Sequence, residues 1–329
     1  MSSKLFDMIN NLKQLMRDFS DEQRCREFLA RLRWNGNPVC PYCSSTKSYV
    51  IEGGKRYKCG NNTCYKKYSV TVGTVFHGSN IPLSTWFPAM YLVSSQKRGI
   101  SSIQLAKHLG VTQKTCWFMI HRIREALRQK NSPLLGGTGG IVEADSSYVG
   151  GKIGNKHYKE RKEYAEHKNW KLNKTTIVGI VDRKGGADLQ VSNLDSDLEQ
   201  LNIVKSRLEF ASQIVTDEAN CFTELNKEHY HYKVNHSKNE YARLHFHTNT
   251  VEGMFSHFDR MIIGTYFQVS KKHLQRYCDE FISRYNTRKM KDGERFEISL
   301  QNIEGKLTYK QLVYGKSSQE SQKNSQENT

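Results

Sequence analysis

Four of the eight cysteines fall between positions 40 and 64 as two short pairs, Cys40-Pro-Tyr-Cys43 and Cys59-Gly-Asn-Asn-Thr-Cys64, separated by fifteen residues. Thiolates at this spacing can surround one tetrahedral Zn²⁺, each pair on a turn with hairpin strands between them. Gly53-Gly54 and Gly60-Asn61-Asn62 mark turns, which are poor places for buried, unligated thiols. Protein would fill all four ligand positions, so the ion is structural, and its binding holds together a segment (37–80) too small to fold on a core alone.

A second chemistry lies in acidic residues at the ends of apolar strands. Asp145 follows Ile141-Val142-Glu143-Ala144, and Asp217 follows Ile214-Val215-Thr216. Glu252 follows Asp217 with 34 residues between them, in a segment whose periodicity predicts a helix over 248–262. Val251, Met254, Phe255, Phe258 and Ile262 form its apolar stripe, while Asn249, Glu252, Ser256 and Asp259 line another face. Three such carboxylates suit a pair of Mg²⁺ or Mn²⁺ ions, which take oxygen ligands and can serve an in-line phosphoryl transfer. Glu143 shares Asp145's face of the strand and either touches that metal shell or bonds a nearby Lys or Arg. His245 and His247 lack a neighbouring cysteine or patterned acid, so they read as loop or DNA-contacting histidines.

Those groups need elements to hold them. Residues 1–36 have the period of a helical lead-in, in which Cys25 packs as an apolar thiol. After the ribbon, 81–132 is helical, and 101–127 reads as helix, Gly110-centred turn, helix, with Thr112 as the second cap. That second helix offers Gln113, Lys114, His121, Arg122, Arg124 and Arg128 for phosphate and base-edge contact, as in a helix-turn-helix. A Gly-rich run at 136–140 marks a boundary, beyond which the pattern changes to strands. The predicted strands are 141–148, 175–181, 187–194, 213–216 and 232–235, with helices at 196–210, 222–228 and 248–262. This is the ribonuclease H-like order, an α/β domain (133–290) with a mixed five-stranded sheet in which the first and fourth strands are neighbours. A last helix spans 271–288, and 291–329 is a C-terminal extension whose Ser/Gln/Asn/Lys-rich tail is expected to be disordered.

Charge points to the partner. Lys and Arg number 50 against 33 Asp and Glu, a formal net charge of +17. Residues 1–130 carry 21 basic and 7 acidic side chains, whereas 131–329 carry 29 and 26. The N-terminal part is therefore the expected footprint of a polyanion. The segment 152–174 adds basic residues interleaved with Tyr158, Tyr164 and Trp170, a pattern suited to a nucleic-acid strand. No apolar run reaches the roughly 18 to 20 residues of a membrane helix, and the N-terminus lacks a signal-peptide pattern, so a cytoplasmic, nucleoid-associated protein is expected.

RWNGNPVCPYC (33–43), YSVTVGTVFHGSNIPLSTWF (68–87), LAKHLGVTQKTCWFMIHRIREAL (105–127), VEADSSYVGGK (142–152), VTDE (215–218), HTNTVEG (247–253) and HLQRYCDEFISRYNTR (273–288) together resemble the zinc-ribbon insertion-sequence transposases, prokaryotic relatives of the Merlin transposons. The resemblance implies a ribonuclease H-like fold that uses divalent metal to cut and rejoin DNA, with its catalytic triad on Asp145, Asp217 and Glu252. It implies binding to double-stranded DNA, both inverted-repeat ends and target, by at least a homodimer. Relatives commonly carry an acid directly after the first aspartate, where this chain has Ser146, and a lysine seven residues after the glutamate, where it has Asp259. Some use the asparagine three residues before the glutamate as the third ligand, which makes Asn249 the rival of Glu252. Two other functions fit the same residues: a DNA-binding regulator derived from a transposase with an inactive centre, and a nuclease that cuts without joining.

Overall fold

The structure, a computed structural model, describes residues 9–129, 132–150, 158, 161–162, 174–194, 196–217, 220–227, 229–234 and 246–314. His245, nearly all of the 152–174 segment and the tail after Tyr314 lie outside the described residues. The chain divides into two compact units, one made of 1–128 with 289–329 and the other of 129–288.

The first unit begins with α1 (Leu12–Asp18) and α2 (Glu22–Trp34). Asp21 caps α2 by accepting from the Arg24 amide, and Asn35 ends it in the left-handed conformation. The ribbon follows as an antiparallel sheet of β1 (Ser48–Ile51), β2 (Arg56–Cys59) and β3 (Lys67–Tyr68). One face packs Tyr57 and Tyr68, stacked at 5.6 Å, against the edge of Trp34. Next, α3 (Leu83–Ser95) is apolar on almost every side and is buried without a break from Trp86 to Ser94, as expected of a helix at the centre of a core.

Around α3 lie α4 (Ser102–Leu109) and α5 (Gln113–Leu127), separated by Gly110, Val111 and Thr112. Gly110 closes α4 at φ 67°, a conformation costly for a residue with a Cβ. Thr112 accepts from the Thr115 amide and starts α5.

Residues 291–314, set apart in the sequence as part of an extension, belong to this same unit, as do 289–290. Within them α9 (Asp292–Gln301) buries Phe296 and Leu300, and the Phe296 ring lies 5.8 Å from Phe87 and 6.1 Å from Tyr91. Beyond it, Glu304 accepts from the Arg33 guanidinium at 2.7 Å and forms a β-bridge with Thr74, and the short α10 (Tyr309–Tyr314) follows.

The second unit is a five-stranded sheet in the order β6-β5-β4-β7-β8. Its strands are β4 (Ile141–Val149), β5 (Thr175–Asp182), β6 (Ala187–Val191), β7 (Gln213–Thr216) and β8 (Tyr230–Lys233). β4, β5 and β6 pair antiparallel, whereas β4, β7 and β8 run parallel, so the sheet is mixed and the first and fourth strands are neighbours. Alternation along the strands assigns the two faces. Val142, Ala144, Val178, Ile180 and Ile214 pack beneath α6 (Asp197–Lys205) and a 3₁₀ turn at Asn220–Lys227. Ile177, Val181 and Leu189 pack beneath α7 (Asn249–Met261) and α8 (Leu274–Asn286).

Several bounds differ from the periodicity. The helix expected over 222–228 is a 3₁₀ turn, α6 stops at Lys205, and the last strand starts at Tyr230 because its exposed tyrosines sit on an edge strand with only one partner.

Because Phe296 fills the α3 core from about 200 residues away in sequence, Phe296→Ala is expected to destabilise the first unit by about 3–5 kcal/mol. Urea denaturation followed by tryptophan fluorescence reports this, since Trp34, Trp86 and Trp117 all lie in that unit. An unchanged midpoint would show that the C-terminal segment does not support it.

Candidate active site and zinc centre

The sheet register brings the first two aspartates to one level. β4 and β7 pair in parallel through Ala144 and Thr216, and one step further along both strands sets Asp145 beside Asp217. On the other side of β4, Asp145 pairs with Gly179 of β5. A Cβ at Gly179 would lie 2.7 Å from the Met254 methyl and 2.8 Å from the Phe255 ring, so its absence lets α7 settle onto the sheet. That close approach carries Glu252 toward the aspartates.

The electrostatics report the convergence. Burial above all, then the charge of Asp217 and more weakly that of Glu252, push the Asp145 carboxyl up to about 7, against a bond from the Ser146 amide that favours the anion. Thr248, fully buried before the first turn of α7, donates its hydroxyl to Glu252 Oε1 at 2.7 Å. Asn249 is the exposed first residue of that helix. The three carboxylates are more widely spaced than the cysteines, with no set of one oxygen from each lying within 4.8 Å of one another. Oxygen donors that raise one another's affinity for a positive charge fit hard divalent cations, and Asp145, Asp217 and Glu252 would hold them.

Glu143, two residues before Asp145, is fully buried. It accepts from Arg183 Nε at 2.7 Å, from the Thr250 hydroxyl and amide at 2.8 and 2.7 Å, and from the Val251 amide at 3.1 Å. His247 Nδ1 lies 3.4 Å away. Of the two readings open in the sequence, bonding to a cation is the one the structure has. Arg183, Thr248 and Thr250 were not singled out by the sequence. Only Gly179 left a legible signal, an isolated glycine inside a run of β-branched residues.

In the ribbon, the sulfurs of Cys40, Cys43, Cys59 and Cys64 all lie within 4.8 Å of one another. Cys40 and Cys64 sulfurs are 3.9 Å apart and those of Cys43 and Cys59 3.5 Å. Four sulfurs at about 2.3 Å from a tetrahedral Zn²⁺ stand about 3.8 Å apart, so the cluster fits that ion. Among the described residues no other group of three or more possible ligands is so compact.

The α5 side chains divide. Gln113 and Lys114 are exposed at its N-terminal end, as is Arg128 after its last turn. His121, Arg122 and Arg124, read from the sequence as DNA-facing, are instead buried. The Arg122 guanidinium lies over the Trp86 and Phe118 rings, and loss of water lowers its pKa to about 10. The His121 ring meets Trp117 edge-on at 4.6 Å.

In the folded chain Asp145 keeps its proton to about pH 7, whereas its ordinary value is 3.8. Its contribution to stability is therefore present below the ordinary value and lost as pH rises through about 7. Without divalent metal, stability should fall between those two values, and Asp145→Asn should remove that part of the slope in thermal denaturation followed by circular dichroism. Equal slopes in both proteins would mean that Asp145 ionises normally.

Comparison with known proteins matches both domains. Residues 20–67 match the transposase zinc-ribbon domain and residues 137–286 match the ISXO2-like transposase domain. An uncharacterized protein in transposable element ISH50 of Halobacterium salinarum is 26% identical over 288 residues, covering 81% of this chain and 91% of that protein. The chain thus carries, in order, a transposase zinc-ribbon domain and an ISXO2-like transposase domain, and its relative is a protein of a transposable element.

Proposed function

We propose that this chain is a DNA transposase that binds the terminal inverted repeats of an insertion sequence and catalyses metal-dependent strand cleavage and strand transfer. The observation that carries this is the strand register that sets Asp145 beside Asp217, with Glu252 near enough for its charge to act on Asp145. The strand order supports a ribonuclease H-like catalytic unit. A pair of Mg²⁺ or Mn²⁺ ions held there would supply activation of the attacking hydroxyl and neutralisation of the leaving oxygen.

The chain's own part is to hold and orient. Asp145 and Asp217 sit at the ends of adjacent parallel strands, on a rigid sheet, and Glu252 is steadied by Thr248. That steadying, together with the charge Glu252 exerts on Asp145, favours it over Asn249 as the third ligand. No side chain need act as nucleophile: water attacks first and the freed 3′-oxygen second.

For DNA recognition we assign α4 and α5 as a helix-turn-helix, with Gln113 and Lys114 at the N-terminal end of α5, where such helices reach base edges, and Arg128 to phosphate. The outer face of the ribbon supports the same partner. Tyr49, Lys58 and Lys67 form one row across its three strands, all exposed, and Lys58 and Lys66 lie over the exposed rings of Tyr65 and Tyr42. Two element ends must be processed together, so the working form is a homodimer or larger, acting at the nucleoid. Among the described residues no helix is long and apolar enough to cross a membrane.

The test is cleavage of a labelled duplex carrying the element's own ends. Cutting is expected to need Mg²⁺ or Mn²⁺, and Asp217→Ala and Glu252→Ala should each lower its rate at least about a hundredfold with DNA affinity kept, a loss of about 2.7 kcal/mol or more of transition-state stabilisation. Binding without cutting would replace this reading with that of a transposase-derived regulator. Cutting without 3′-end joining to a second duplex would leave a nuclease.

A further inference from the structure

A thirteen-residue helix ordinarily has its first free amides capped by the side chain of its own N-cap residue. In α7 that residue is Thr248, which makes no side-chain cap bond. Its hydroxyl goes to Glu252 Oε1 instead. The amides of Thr250 and Val251, the second and third residues of the helix, are satisfied by Glu143 Oε2, reaching across from β4. Glu143 Oε1 meanwhile accepts from Arg183 Nε and the Thr250 hydroxyl. A carboxylate offers about four lone-pair sites, and these four bonds occupy them. Glu143 therefore has nothing left for a metal ion, although it lies only two residues from Asp145.

We infer that Glu143 is a positioning residue for the acidic centre: its buried carboxylate caps α7 in place of Thr248, which leaves the Thr248 hydroxyl to hold Glu252 toward Asp145. The inference rests on the reading of Asp145, Asp217 and Glu252 as the metal-holding centre. Its physical basis is that one side chain joins the strand bearing Asp145 to the helix bearing Glu252. The N-terminal end of α7 and the Arg183 guanidinium both donate hydrogen bonds at that joint. Arg183 further ties down the approach to α7 by donating to the His247 carbonyl at 3.2 Å.

Glutamine at 143 keeps one acceptor for the helix amides but presents an NH₂ group where a second acceptor is needed, and it removes the charge opposite Arg183. Valine at 248 keeps the shape of threonine and removes the hydroxyl. Glu143→Gln and Thr248→Val are compared with the wild-type full chain, its zinc in place, and with Val204→Ala, a buried substitution on the opposite face of the sheet that lowers stability without touching α7. The first readout is Mn²⁺ affinity by electron paramagnetic resonance; the others are the Mg²⁺ concentration for half-maximal cleavage, affinity for the duplex, and the thermal midpoint.

Both Glu143→Gln and Thr248→Val should weaken Mn²⁺ binding about 10- to 100-fold and raise the Mg²⁺ requirement, with DNA affinity unchanged. Val204→Ala should lower the midpoint alone. If Glu143→Gln lowers the midpoint while Mn²⁺ affinity and metal requirement match the wild type, Glu143 is only a structural residue and the inference is overturned. A wild type that binds Mn²⁺ through the three carboxylates yet cuts no DNA would defeat the transposase reading and leave the role of Glu143 to be decided by the Mn²⁺ affinities. A wild type with no Mn²⁺ binding would overturn both.

Discussion

Carboxylates set near one another repel, and the α/β unit places the half-buried Asp145 and Asp217 side by side, with the more exposed Glu252 near enough for its charge to reach Asp145. Burial above all, then the charges of Asp217 and Glu252, hold the Asp145 proton to about neutral pH. Everything that keeps the centre assembled opposes this repulsion. The parallel pairing of β4 with β7 sets Asp145 and Asp217 side by side, Gly179 lets α7 approach, and Glu143 fastens the start of α7 to β4. A divalent cation would turn the same repulsion into affinity.

The first unit solves a different problem. Its ribbon has a core of little more than Tyr57, Tyr68 and Trp34 with the cysteines, so the metal site is what makes a stable fold of it. Its helices are organised by α3, which is buried on nearly all sides and takes Phe296 from the far end of the chain. The burial of Arg122 against Trp86 and Phe118 belongs to this packing.

Much of this could be read from residue order. The zinc ligands followed from spacing alone, and the strand that leads into Asp217 has the bounds its apolar run suggested, Gln213–Thr216. The adjacency of the two aspartates followed from the order of strands and helices. What stayed hidden were choices among equivalent partners. Nothing along the chain tells Glu143 to pair with Arg183, forty residues on, rather than with another of the many basic residues. On α5, the buried face of Cys116, Met119, Ile120, Ile123 and Leu127 is wide enough to take in His121, Arg122 and Arg124. Long basic side chains bury their stems readily, and periodicity does not distinguish a buried arginine from an exposed one. The return of 289–314 to the first unit is equally a long-range choice, invisible to local pattern.

The most direct measurement is anomalous diffraction at the manganese edge from crystals of the full chain grown with Mn²⁺. The account predicts manganese bound by Asp145, Asp217 and Glu252, with Glu143 in contact with Arg183 and α7 but not with the metal, and a separate zinc peak among Cys40, Cys43, Cys59 and Cys64. Manganese absent from the three carboxylates at saturating concentration, or held by Glu143, would contradict it.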